Sequence, residues 1–343
     1  GPVLGVVRFE RLEEAIEFVN ATGYGLTSGL HSLDEREHEL WKSRILAGNL
    51  YINRGTTGAV VLRQPFGGMG KSCVGPGMKA GGPNYVAQFL QFEERGTPAN
   101  QHEFSNPELG SLASALSAFM RPNTPGDEPG WDLSRTAKSL GLTSLLEANA
   151  QRLLVAISSY DGWWQEEFGR EHDHFRLLGQ DNIRRYLPFQ EIRVRVAEGD
   201  TLFDLVCRAC AAHVTGARVI VSSPVGVNLA AVKLLDEITD SWAAAIEFVE
   251  ESDGDIVTVI REMPDHSTER IRYAGARRVP EIVRRAAAEQ GVYIADEPVI
   301  AAGRIELLWY LREQSISWDY HRYGNLGGRA DETRRGPVPA RKD

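Results

Sequence analysis

Asn49-Leu50-Tyr51-Ile52-Asn53 runs directly into Arg54-Gly55-Thr56-Thr57-Gly58-Ala59-Val60-Val61-Leu62-Arg63-Gln64-Pro65-Phe66-Gly67-Gly68-Met69-Gly70-Lys71-Ser72-Cys73-Val74-Gly75-Pro76-Gly77-Met78-Lys79-Ala80-Gly81-Gly82-Pro83. The first five residues read as a strand. Between Arg54 and Pro83 lie nine glycines, with prolines at 65, 76 and 83, a density that no helix or regular strand tolerates. This segment is therefore a long loop or a series of turns. Glycine permits positive φ and lets a ligand approach bare N–H groups. Loops of this length in compact proteins are either functional or disordered. Val60 to Leu62, Phe66 and Met69 give this one an apolar side to dock, which favours a binding loop.

Upstream, Val3 to Phe9 reads as a strand, and Leu12, Ala15, Ile16 and Val19 fall at helical spacing. Asn20-Ala21-Thr22-Gly23-Tyr24-Gly25 stops that helix, Leu26 to Ser32 is a short strand, and a helix runs from Asp34 to Gly48. Strand, helix, strand, helix, strand indicates an α/β layer structure. Downstream, Tyr85 to Phe92 alternates like an edge strand. Gly, Pro, Asn and Ser then accumulate from Glu93 to Pro129 around one helical patch, Leu109 to Met120, as in a linker. Leu133 to Phe168 reads as helix. Beyond it lies a second α/β region, with strands at Ile192 to Val196, Ala217 to Ser222, Ile256 to Ile260, Arg270 to Tyr273 and Val292 to Ala295. Helices are predicted over Thr201 to His213, Val227 to Ile238, Val279 to Gln290 and Gly303 to Glu313. That alternation implies parallel βαβ units.

The 343 residues suggest about two domains, with 42% hydrophobic and 25% charged residues and a formal charge of −9. An acidic balance disfavours nucleic acid and anionic membranes as partners. No run approaches the roughly 18 apolar residues of a membrane helix, and no signal peptide is read at the N-terminus. Three cysteines argue for a reducing cytosol over a disulfide framework, so a cytoplasmic location is expected. Gly1-Pro2 suits a processed or tagged terminus, whereas Val3 to Phe9 suits the interior of a longer polypeptide.

Several constellations favour structural readings. Cys207-Arg208-Ala209-Cys210 is a lone CxxC in an apolar helix, and buried thiols fit it better than zinc or redox work. Glu171-His172-Asp173-His174 sets carboxylates beside imidazoles, but adjacent residues do not converge on one ion. Cys73 has no His or acid close in sequence and reads as a turn filler. Neither α/β region carries GxGxxG followed by an acidic residue about twenty positions on. Strand 219–221 ends in Ser222-Ser223-Pro224, a weak nucleotide site. In the glycine loop, inward N–H groups of Gly58 and Ala59 would hold a carboxylate without a buried cation, with Phe66 walling an aliphatic chain. The competing reading is a loop that closes the domain and touches no ligand.

Gly1-Pro2-Val3-Leu4, Asn20-Ala21-Thr22-Gly23-Tyr24-Gly25-Leu26, Ala47-Gly48-Asn49-Leu50-Tyr51-Ile52-Asn53-Arg54 and Gln64-Pro65-Phe66-Gly67-Gly68 resemble the last part of an aldehyde dehydrogenase catalytic domain. Thr57-Gly58-Ala59 followed by Lys79-Ala80-Gly81-Gly82-Pro83 is similar to L-glutamate γ-semialdehyde dehydrogenase, as fused behind proline dehydrogenase in proline utilisation A proteins. Residues 170–328, with Arg312-Glu313-Gln314-Ser315 and His321-Arg322-Tyr323-Gly324-Asn325-Leu326, resemble the C-terminal aldehyde-dehydrogenase-like domain of the longer fusions.

The resemblance implies a catalytic-domain end over 1–98 and a degenerate Rossmann-like domain over 170–328, while composition leaves a linker and helical segment over 99–169 and a charged, Pro-containing, disordered tail over 329–343. It implies that Gly58 and Ala59 anchor the amino acid end of glutamate semialdehyde and that Phe66 packs on its methylenes. The family attacks the aldehyde with a thiolate, transfers hydride to NAD and hydrolyses the thioester. Its Cys, oxyanion-hole Asn, ribose-contacting Glu and NAD-binding half would all lie upstream of Gly1, so this chain is expected to be an inactive fragment. Met69-Gly70-Lys71-Ser72-Cys73 and an extra residue near Gly77 depart from the Gly-Leu-Ser-Gly of many members. Expected partners are the semialdehyde, a proline dehydrogenase domain, and further copies in a homo-oligomer. The C-terminal domain would cover the channel between active sites and aid assembly.

Overall fold

The computed structural model describes residues 2–96, 103–121, 133–227, 229–263 and 269–334. The chain divides into two compact units: Gly1–Tyr85 with Glu171–Arg185 and Glu313–Asp343, and Val86–Arg170 with Tyr186–Arg312.

The first unit is built on a five-stranded sheet in the order Thr27–Leu30, Asn49–Ile52, Leu311–Asp319, Gln180–Pro188, His172–Asp173. The first three strands are parallel, with Ser315 beside Asn49 and Trp318 beside Ile52, and the last two pair antiparallel. Because side chains alternate along a strand, Leu50, Ile52 and Ile316 share one face. There they form an apolar cluster with Ile16 of helix Leu12–Asn20, Trp41 of helix Glu35–Arg44, Ile45 and Ala47. The residues between them, Asn49, Tyr51, Ser315 and Ser317, take the opposite face, which the glycine loop covers.

The second unit is a parallel five-stranded sheet, ordered Ile294–Ala295, Glu269–Arg272, Glu191–Arg195, Arg218–Ser223, Ile246–Glu250. The strand that comes first in the chain sits in the middle, and the order reverses beside it, as in doubly wound folds. Ile192, Val194, Val219 and Val221 are fully buried, as strands covered on both faces must be. Helices Leu202–Val214 and Asp253–Glu262 each begin in a capping box, Thr201 with Asp204 and Ser252 with Asp255. Ile256, Ile260, Val283 and Ala286 pack on Ile271 and Ile294.

Several elements differ from their sequence-based expectation. Val3 to Phe9 lies in no strand, and Val3, Leu4 and Val6 are exposed. Tyr85–Phe89 is a 3-10 turn. Ile256 to Ile260 belongs to helix Asp253–Glu262: β-branched residues in a row resemble a strand, but the Ser252 box starts a helix and the 3.6 period buries Ile256 and Ile260 together. The strand that takes its place in the sheet, Ile246–Glu250, is hidden in the sequence by its alternating charges. The helix from Gly303 stops early, with a 3-10 turn Leu307–Tyr310 leading into strand Leu311–Asp319. The helical patch expected at Leu109 to Met120 is helix Pro107–Met120, and it is no linker or surface excursion, since Leu109, Leu112 and Leu116 are buried inside the second unit; Thr143–Trp163 is helix as expected and buries Leu146 and Leu153. Arg329 and Arg334, predicted to lie in a disordered tail, both pair with Asp181. Residues 335–343 lie outside the described residues.

Arg272 and Glu306 form a fully buried ion pair at 2.8 Å in the second unit, and Tyr310 donates to the same Glu306 oxygen at 2.9 Å. Removing one partner of such a pair strands a charge away from water. Glu306→Ala is expected to destabilise the chain by about 3–5 kcal/mol, read as a lowered urea midpoint; a loss under about 1 kcal/mol would show that water reaches Arg272.

Candidate functional site

The glycine loop is held from below by one strand. Every second residue of Leu311–Asp319 from Glu313 onward reaches it. Glu313 accepts from the Lys79 backbone N–H at 2.8 Å and from the Asn84 amide at 2.5 Å. Ser315 donates to the Pro65 carbonyl at 2.6 Å. Ser317 accepts from Arg54 at 2.7 Å, and Asp319 lies 3.7 Å from the same guanidinium. From the neighbouring strand, Asn182 receives the Ser317 hydroxyl at 2.9 Å.

Gly58 and Ala59 sit at the exposed end of this loop. The Gly58 carbonyl is turned inward, accepting from the Tyr51 hydroxyl at 2.9 Å and from the Gln64 amide at 3.2 Å, while the Gln64 oxygen accepts from Arg54 at 2.8 Å. Since N–H and C=O point opposite ways across a trans peptide, tying that carbonyl down turns the Ala59 N–H outward. Neither the Gly58 nor the Ala59 N–H donates a hydrogen bond among the described residues. Gly58 has φ +129°, and a Cβ there would stand 2.6 Å from the Gln64 side-chain amide, so glycine is required at this position. The loop then doubles back through the Val60–Gln64 bridge. Phe66 comes next, half-buried, exchanging backbone hydrogen bonds with Ala80 at 2.9 Å in both directions. The bridge thus places Ala59 and Phe66 at its two open ends.

Lys79 is fully buried and donates to the Gly67 carbonyl. Burial lowers its pKa to about 8, against the opposing pull of Glu313; burial likewise raises Glu313. Sequence reasoning missed Arg54, Gln64, Lys79 and Glu313. The period-2 alternation of Glu313, Ser315, Ser317 and Asp319 with Ile316 and Trp318 was the available signal. Cys73 is partly exposed on the loop, while Cys207 and Cys210 are fully buried, where burial pushes both thiols up.

The Rossmann-like crevice of the second unit does not fit a dinucleotide. In the first strand-to-helix turn, the N–H groups a diphosphate needs are taken. Asp200 accepts from the Ala197 N–H at 3.1 Å, and Thr201 and Asp204 close their capping box at 3.1 and 3.0 Å. Arg208 enters the fork between the diverging strands, donating to the Arg195 carbonyl at 2.7 Å and the Arg272 carbonyl at 3.2 Å. Among the described residues no helix is long and apolar enough to cross a membrane, and no group of three His, Cys, Asp or Glu side chains could hold a metal.

Comparison with known proteins bears on the first unit above all. Residues 1–94 match the aldehyde dehydrogenase family. The bifunctional protein PutA of Salmonella typhimurium is 54% identical over 173 residues, 48% of this chain and 12% of that protein. PutA of Rhizobium meliloti is 57% identical over 93 residues, 26% of this chain and 7% of its own length. The 1-pyrroline-5-carboxylate dehydrogenase of Staphylococcus haemolyticus is 43% identical over 91 residues, 26% of this chain and 17% of its length. The solved structure of proline utilization A from Corynebacterium freiburgense aligns over 94% of this chain and 26% of its own, at 36% identity and a TM-score of 0.64. The chain thus spans about a tenth of the curated PutA relatives.

Lys79 supplies a pH test. Its cation is favoured less in the folded than in the unfolded chain, so the unfolded chain binds more protons between pH about 8 and the ordinary 10.5. Stability contributed at this site therefore rises with pH across that window. Compared with Lys79→Met, the native chain is expected to gain roughly 1.4 kcal/mol per pH unit there, measured by urea unfolding. Parallel pH profiles for the two chains would contradict it.

Proposed function

We propose that this chain is part of an NAD-dependent L-glutamate γ-semialdehyde dehydrogenase of the proline-catabolic fusion type, to which it contributes the loop that anchors the substrate's amino acid end. The observation that carries the reading is two adjacent N–H groups, Gly58 and Ala59, that donate to nothing among the described residues, the Ala59 N–H being turned outward by a carbonyl locked inward. Two adjacent N–H donors suit a carboxylate. Phe66, across the Val60–Gln64 bridge, suits the methylenes that separate that carboxylate from the aldehyde. An anchor several bonds from the reacting carbon acts by orientation, so a small displacement of the loop would cost rate at a distance. The names of the PutA and 1-pyrroline-5-carboxylate dehydrogenase relatives support this substrate class.

The second unit we read as a non-catalytic module, serving as lid or assembly surface, because its crevice does not fit the dinucleotide. The thiolate nucleophile and the NAD site belong in this reading to residues outside the chain. A proline dehydrogenase domain and further copies of the chain are its proposed partners.

Assayed with glutamate γ-semialdehyde and NAD, the chain is expected to yield no NADH, and turnover would overthrow the fragment reading. Glutamate at tens of millimolar is expected to shift the backbone amide signals of Gly58 and Ala59 in a two-dimensional NMR spectrum, with smaller shifts in Phe66→Ala. Unmoved Gly58 and Ala59 signals would dispose of the anchoring role.

A further inference from the structure

We propose that the cleft at the carboxyl ends of the parallel strands of the second unit binds a purine nucleoside, as a ligand without a diphosphate. The cleft, of about 690 Å³, is lined by residues that leave four of the five strands, among them Val196, Pro224, Asp253 and Tyr273. It lies where the strand order reverses, between Glu191–Arg195 and Glu269–Arg272, which is where open α/β sheets take ligands.

Three features define the ligand. The first is shape: Pro224, Val225, Val279 and Pro280 contribute apolar wall to the cleft, of the kind that holds a flat ring. The second is charge. Arg195, Arg277 and Arg278 line the cleft, but Arg195 pairs with Asp253 at 3.0 Å and Arg278 with Asp200 at 2.6 Å and Asp204 at 2.9 Å. Arg277 and Glu198, which also line it, leave the balance near neutral. A neutral ligand suits such a field, whereas a diphosphate would meet Asp200 and Glu198 in the turn it has to occupy. The third is hydrogen bonding. The Tyr273 hydroxyl, buried in the lining of the cleft, makes no hydrogen bond of good geometry among the described residues, and the polar group beside it, the Arg195 guanidinium, is itself committed to Asp253. Buried polar groups left unpaired are rare and call for a partner. Burial holds the Tyr273 phenol neutral, its pKa raised to about 12, so it can both donate to and accept from a heterocycle edge or a ribose hydroxyl.

The whole chain is titrated with adenosine, NAD and glutamate by calorimetry and ligand-observed NMR. Adenosine is expected to bind saturably with an affinity that added salt leaves unchanged, while NAD and glutamate do not compete for the cleft. Val225→Trp, on an exposed wall, is expected to abolish binding. Tyr273→Phe is expected to weaken it roughly threefold to tenfold, while the fold, read by thermal unfolding, is retained. No saturable adenosine binding overturns the proposal, as does binding that survives Val225→Trp. Equal affinity for NAD overturns the exclusion of the diphosphate. None of these outcomes touches the glycine loop, whose test uses glutamate and Phe66.

Discussion

Glu313 is buried, carries a carboxylate, and must hold two donors at once to stay there. It does so with the Lys79 N–H and the Asn84 amide, and those two bonds fasten the far end of the glycine loop to a strand more than two hundred residues away in sequence. Ser315 and Ser317 repeat the device at the middle and near end of the loop. A segment with nine glycines between Arg54 and Pro83 has little side-chain packing of its own. Its course therefore depends on polar side chains supplied by another strand. Because strand residues alternate, the same strand presents Ile316 to the apolar cluster on the other side of the sheet.

In the second unit the corresponding constraint is the set of buried guanidinium groups at the strand ends. Arg208 bridges two strand carbonyls and Asp200, Arg272 joins Glu306 and the Glu297 carbonyl, and Arg195 reaches Ser222, the Glu251 carbonyl and Asp253. Carbonyls at the carboxyl ends of parallel strands have lone pairs that a ligand or a helix N-terminus commonly meets. Here the protein's own cations meet them. That filling explains how a doubly wound sheet can persist without a dinucleotide. It also confines any ligand to the outer part of the cleft, beside Pro224, Val225 and Tyr273.

Much of the α/β organisation was legible. Amphipathic spacing marked helices Leu12–Asn20 and Glu281–Gln290, and a continuous apolar run marked strand Arg218–Ser223. Failures had specific causes. Ile246–Glu250 interleaves glutamates with apolar residues in a unit whose central strands are far more apolar, and Val257-Thr258-Val259 imitates a strand inside a capped helix. In the glycine loop, Gly58, Ala59 and Phe66 could be singled out, because glycine density and family likeness both point there. Lys79, Gln64 and Arg54 could not, since a lone polar residue in a loop carries no local sign of being buried.

Local order thus came from the sequence: which segments are helix, which are strand, and that the stretch after Asn53 must turn repeatedly because glycine and proline prevent anything else. What tertiary structure alone decided is which strand lies beside which. The pairing of Asn49–Ile52 with Leu311–Asp319 joins residues over 260 positions apart, such as Asn49 and Ser315. Backbone hydrogen bonds are the same for any strand and specify no partner; the choice rests on matching buried faces. Only that pairing places Glu313, Ser315 and Ser317 under the loop, and so holds the loop on which the Ala59 N–H is turned outward.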